Sequence, residues 1–95
     1  MRKTYCVYIL SNATCTTVYI GVTSNLKGRV ADHKESKIEC FTKKYRVNRL
    51  VYFEVFQDIR DAIAREKQLK KWRRVWKDDL IKTMNPSWRD LFDEI

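Results

Sequence analysis

The chain has 95 residues, 44% apolar and 34% charged, with only two Gly and one Pro, which excludes a disordered or low-complexity polypeptide and provides for one small core. Twenty Lys and Arg against twelve Asp and Glu give a net charge of +8, which favours a polyanionic partner. The three cysteines, Cys6, Cys15 and Cys40, form no Cys-x-x-Cys pair and have only His33 for company, which excludes a zinc site of the usual kind and reads as reduced thiols.

Thr4 to Leu10 is apolar on both alternating faces, as in a strand covered on both sides. Ser11, Asn12, Ala13 and Thr14 supply turn formers, and Thr16 to Val22 returns as a second strand in a hairpin. Ser24 or Asn25 then caps a helix from about Leu26 to Glu35. Arg29 and His33, four residues apart, share one face of it beside the Leu26/Val30 stripe. A guanidinium and an imidazole next to the strand tyrosine Tyr19 suit a phosphate, although a plain strand-turn-helix joint with a solvated Arg and His fits the same stretch.

Ser36 to Asn48 has no clear period and interleaves Lys37, Lys43, Lys44 and Arg46 with Phe41 and Tyr45. Base-stacking aromatics among phosphate-binding cations account for that mixture, and so does a surface loop pinned by two aromatic anchors. Leu50 to Phe56 is a third strand, apolar on both faces apart from Glu54. Asp58 with Asp61 resembles a capping box opening a second helix through Ile59, Ala62, Ile63, Leu69 and Trp72. Lys70, Lys71, Arg73 and Arg74, interrupted by Trp72 and followed by Trp76, form a dense basic stretch that provides further phosphate contacts. A helix around Lys77 to Met84 stops at Asn85-Pro86, and Ser87 with Asp90 looks like a second capping box opening a short terminal helix.

The order ββα-βαα predicts an α+β fold: a small three-stranded, mainly antiparallel sheet flanked by helices, with a short C-terminal helix, in one domain over residues 1–95. No segment approaches the roughly 20 apolar residues of a membrane span, and Tyr5 to Leu10 is too short for a signal-peptide core. The expectation is a cytoplasmic protein without membrane contact, a monomer or weak dimer.

A helical wheel places Glu66 within the apolar arc of Ile59, Ala62, Ile63 and Leu69. A carboxylate facing a sheet must be protonated, paired or bound to a metal, since leaving it charged and alone costs several kcal/mol. A pair with Arg29 or with a strand tyrosine meets that requirement. So does a metal ion, and the wheel and strand patterns predict Tyr8, Tyr19, Arg29, His33 and Glu66 converging on one sheet surface.

These residues resemble the GIY-YIG nuclease superfamily, specifically its small stand-alone bacterial members, and the nuclease module of the excision-repair incision subunit. The namesake tripeptides match Cys6-Val7-Tyr8 and Tyr19-Ile20-Gly21, the helix arginine and histidine match Arg29 and His33, and the metal-binding glutamate matches Glu66. Cys6 replaces the first glycine, Val22 stands where some relatives carry an active-site lysine, and Asn85 is the nearest counterpart of a late asparagine, a possible accessory residue. The resemblance implies divalent-metal-dependent hydrolysis of DNA phosphodiesters, with one Mg²⁺ or Mn²⁺ on Glu66 and a structure-specific task in repair or recombination. RNA stays open as a substrate. The competing reading is a non-catalytic nucleic-acid-binding module that retains the nuclease fold.

Overall fold

The computed structural model describes residues 3–35 and 44–95. Strands β1 (Tyr5–Ser11), β2 (Val18–Thr23) and β3 (Arg49–Phe56) form one antiparallel sheet in the order β2-β1-β3, so the first strand of the chain lies in the middle. Its two-sided apolar pattern follows from that position. Val7 and Ile9 pack with Ile20 and Tyr52 on one face, and Tyr8 and Leu10 pack with Leu50 and Val47 on the other. Each such burial contributes about 1.5–3 kcal/mol. Between Ile9 and Leu10 the β1–β3 register shifts, leaving Val51 as the extra residue of a bulge.

The two faces are covered by different helices. Helix α1 (Leu26–Lys34) opens at Asn25, whose Oδ1 accepts from the Gly28 N–H at 3.1 Å, and it buries Val30 against Tyr8 and Leu10. Helix α2 (Ile59–Lys71) opens at Asp58, whose carboxylate accepts from the Arg60 N–H at 2.8 Å, and it buries Ala62 and Leu69 against Val7, Ile9 and Ile20. Ile59 and Ile63 are each 37% exposed, so the buried stripe of α2 is narrower than the wheel suggests and runs from Ala62 to Leu69 with Glu66 between them. Asn12 closes the β1–β2 connection by accepting from Thr16 N–H at 2.9 Å and Thr17 N–H at 3.1 Å.

Two expectations need correction. Helix α3 (Arg74–Met84) begins a turn earlier than Lys77, because the Arg74 guanidinium is anchored to Asp78 one turn ahead and to the carbonyls of Cys15 and Thr16. The terminal helix expected to open at Ser87 does not form, and only a 3-10 turn at Phe92–Glu94 is present. The chain cannot continue as a helix there because it passes around the β3 edge. Trp88, at φ 57°, sinks into the core on the α2 side, whereas Leu91 joins the core on the α1 side. Asp90 secures this crossing by accepting from the Leu50 N–H at 3.2 Å and the Phe92 N–H at 3.0 Å and by pairing with Lys34.

Burial works to raise the Asp90 pKa, but the Lys34 ammonium and the two backbone donors outweigh it and hold the carboxyl below its ordinary 3.8. A carboxyl whose pKa falls on folding stabilises the fold above its unfolded pKa and loses that contribution as pH drops through the folded value. Asp90→Asn is therefore expected to cost about 1–2 kcal/mol near pH 7, lowering Tm by roughly 4–8 °C per kcal/mol. In thermal melts followed by circular dichroism, the gap from wild type should close as pH falls below the carboxylate range.

Candidate active site

The β1–β2 register sets Tyr8 directly opposite Gly21. The Tyr8 phenol lies across that glycine: a Cβ at position 21 would stand 2.5 Å from Tyr8 Oη and 2.6 Å from Cζ. Gly21 is needed for this close approach rather than for an unusual backbone angle. Laid over, the buried Tyr8 side chain brings its hydroxyl within 3.4 Å of His33 Nε2. Tyr19 completes the group, with its ring centre 6.4 Å from that of Tyr8 and 5.7 Å from the imidazole.

His33 is 4% exposed, and burial lowers its pKa below the ordinary 6.5. The Arg29 charge one helical turn away pushes in the same direction, and Asp32 opposes it. Burial and the Arg29 charge both favour the neutral imidazole. Arg29 itself is exposed and borders an open polar depression with Thr23, Asn25, Gly28 and Asp32 at the start of α1. The structure thus brings Tyr8, Tyr19, His33 and Arg29 together on the α1 side of the sheet.

Glu66 is placed differently from the expectation of a single shared surface. It belongs to α2, which covers the opposite face from α1, and the wheel could orient that helix toward the sheet without saying which side it would take. The connection runs around edge strand β2 instead. A groove along that edge is lined by the consecutive residues Val18, Tyr19 and Ile20, by Lys70 of α2 and by Lys77 of α3. Lys70 Nζ is in turn 3.6 Å from Glu66 Oε2. Neither Arg29 nor a strand tyrosine is the partner of Glu66 among the described residues; Lys70 is.

This carboxylate suits one hard divalent cation. Its side chain is 19% exposed, and the ammonium beside it lies beyond hydrogen-bonding distance. No three His, Cys, Asp or Glu side chains gather into a metal-binding group among the described residues, so the closed cage of a structural zinc is not available here. A cation held by one carboxylate that keeps several of its waters is the habit of Mg²⁺.

The predicted phosphate contacts divide. Lys44, Arg46, Lys71 and Arg73 are exposed, with Lys44 over the Tyr45 ring and Arg73 over Trp76. Lys70 lines the groove, while Lys37 and Lys43 lie outside the described residues. Arg74 is a correction: its guanidinium is spent on Asp78 and on the Cys15 and Thr16 carbonyls, which fixes the hairpin turn. Asn85 is another. It is 2% exposed, donates to the Val51 and Arg89 carbonyls and accepts from the Arg89 N–H, so it holds the C-terminal segment and is no accessory site residue. Lys77 belongs to the groove but carried no distinguishing mark within the basic run, because the break at Trp72-Arg73 separates it from the α2 wheel.

The sequence profile of the GIY-YIG catalytic domain matches residues 4–79, and the chain belongs to this family. It is similar over nearly its whole length to UPF0213 proteins. That of Syntrophus aciditrophicus is 38% identical over 87 residues, covering 90% of this chain and 97% of the relative. That of Lacticaseibacillus paracasei is 33% identical over 87 residues, covering 92% and 97%. The solution NMR structure of a Bacillus halodurans UPF0213 protein shares the fold, with a TM-score of 0.58 over 92% of both chains at 24% identity.

Two measurements check the geometry. The His33 imidazole signals, followed by NMR, should titrate below 6.5, and Arg29→Gln should move the midpoint upward while burial still holds it under the ordinary value. Gly21→Ala should cost about 1–3 kcal/mol by overpacking and should separate Tyr8 from His33. A lowered Tm together with a changed His33 midpoint is the expected signature.

Proposed function

We propose that this protein is an endonuclease that hydrolyses DNA phosphodiester bonds with one Mg²⁺ or Mn²⁺ ion. The observation that carries this reading is the buried contact of Tyr8 with His33, on the helix that bears Arg29, with Tyr19 packed beside both rings and also lining a groove reached by Lys70, the partner of Glu66. Arg29, exposed one turn before His33, binds the scissile phosphate and offsets its developing charge. The Tyr19 hydroxyl positions the attacking water. A free phenol ionises only near pH 10 and is a weak base, so the proton is better received by His33, which Tyr8 holds in place. Glu66 would hold the ion, whose chemistry when bound is to offset charge on the leaving oxygen. Lys70 and Lys77 flank the strand of substrate that enters along β2.

Val22, partly buried in β2 and packed against the core, offers no cation at the position where some relatives have a lysine. Transition-state charge would therefore fall to Arg29, together with the ion that Glu66 would hold. The basic surface suits DNA, and a structure-specific task in repair or recombination accords with a groove open along one strand edge.

The test compares wild type with Glu66→Gln on nicked, flapped, branched and single-stranded DNA, with Mg²⁺, with Mn²⁺ and with chelator. Wild-type cleavage should need the cation, and Glu66→Gln should be slower by roughly 10²-fold or more, with DNA affinity in chelator retained. Tyr19→Phe keeps the volume of the ring and should lose about 10²-fold. Equal cleavage by wild type and Glu66→Gln would exclude this site. Tight binding without cleavage by either, on every substrate, would assign the protein to the binding modules that retain the fold.

A further inference from the structure

Helix α3 carries an exposed aromatic ring that the chemistry above does not use. Trp76 is 50% exposed, and its neighbour Val75 is 56% exposed, although Lys77, next in sequence, lines the groove with Tyr19. The indole is not loosely held. Trp72 meets it edge-on, with ring centres 6.2 Å apart, and Arg73 stacks on it at 5.7 Å. Trp72 is itself braced by the Arg65 guanidinium at 5.1 Å, and Arg65 forks onto the Glu54 carboxylate, with bonds of 3.0 Å to each oxygen. Glu54 also accepts from the Tyr52 hydroxyl. A chain of contacts thus runs from the sheet through Glu54, Arg65 and Trp72 to an indole that keeps half its surface in solvent.

A braced, exposed indole among cations is what an unpaired base requires. The ring offers a stacking face held by its edge-on contact with Trp72, and the cations Arg73 and Lys77 lie on either side of it in sequence. A paired base in a duplex is covered by its own neighbours and gains nothing from such a face. We infer that Trp76, braced by Trp72 and flanked in sequence by Arg73 and Lys77, is a stacking platform for an unpaired base of single-stranded DNA on the exposed surface of α3. This inference rests on the nuclease reading for its substrate class and makes Trp76 a determinant of specificity for unpaired strand.

The experiment measures binding without metal, so that cleavage plays no part. Fluorescence anisotropy compares a labelled oligothymidine with a blunt duplex of equal length, for wild type, Trp76→Ala and Trp76→Phe, over a range of salt. Trp76→Ala should weaken single-strand binding about 5- to 100-fold, with duplex affinity and the slope of log affinity against log salt unchanged, because no cation has been removed. Trp76→Phe keeps an aromatic face and should recover most of the loss, which separates stacking from any effect on folding. Equal weakening on both nucleic acids, no weakening on either, no binding of single strand by wild type, or an altered oligomeric state in sedimentation with affinities unchanged would each overturn the platform. A Trp76-dependent preference in a protein that cleaves nothing would support the platform and remove the nuclease reading. Cation-dependent cleavage without that preference would do the reverse.

Discussion

The contact on which the site depends is the Tyr8 ring lying across Gly21. Strand pairing alone puts the two residues opposite one another, but only the missing Cβ lets the ring descend far enough for its hydroxyl to reach His33. From that contact follow the burial of the imidazole and its lowered pKa, the place of Tyr19 against both rings, and the orientation of α1 that carries Arg29 outward. The glycine of the second tripeptide and the tyrosine of the first are two halves of one packing arrangement. Cys6, at the glycine position of the family's first namesake tripeptide, pairs across the strands with Thr23 and Val55 and takes no part in it, so that departure leaves the arrangement intact.

A three-stranded sheet has two faces and two edges, and the protein distributes its tasks among them. Each face is a core, one sealed by α1 and the other by α2. A buried face has no room for a polymer, which leaves the strand edges as the route by which a nucleic acid can reach residues from both layers. In the function proposed above the β2 edge would provide that route: Tyr19 lines it while its ring belongs to the α1 layer, and Lys70 and Lys77 approach from the other.

Legibility in the sequence tracked how local the cause was. The strands, the Asn25 and Asp58 caps and the inward side of α2 follow from alternation, side-chain acceptors and helical period, and all are within reach of a few neighbouring residues. The side of the sheet taken by α2 depends on the path of the chain between elements, which no wheel encodes, and so Glu66 was expected beside Arg29 and stands around an edge from it. Arg74 and Asn85 were misread for a related cause. Their composition suits a phosphate site, but their donors are consumed by carbonyls at Cys15, Thr16, Val51 and Arg89 that only the tertiary fold brings near. The terminal capping signal at Ser87 was overruled when the chain had to reverse at Trp88 to cross from one core to the other.

That crossing has a consequence for how the molecule behaves among copies of itself. An edge strand offers a row of unpaired backbone groups to any passing strand, and proteins that leave such a row open tend to join sheets into aggregates. At the start of β3 the row is taken by the chain's own C-terminal segment: the Leu50 carbonyl accepts from the Leu91 N–H at 2.7 Å, the Leu50 N–H is held by Asp90, and the Val51 carbonyl is held by Asn85. The bulge at Val51 bends the same stretch out of regular register. Beside the opposite edge, among the described residues, stand Lys70 and Lys77, whose charges repel another copy and attract a polyanion. Strapping the start of β3 with the protein's own backbone, and setting lysines beside β2, keeps the sheet from becoming a template for its own kind.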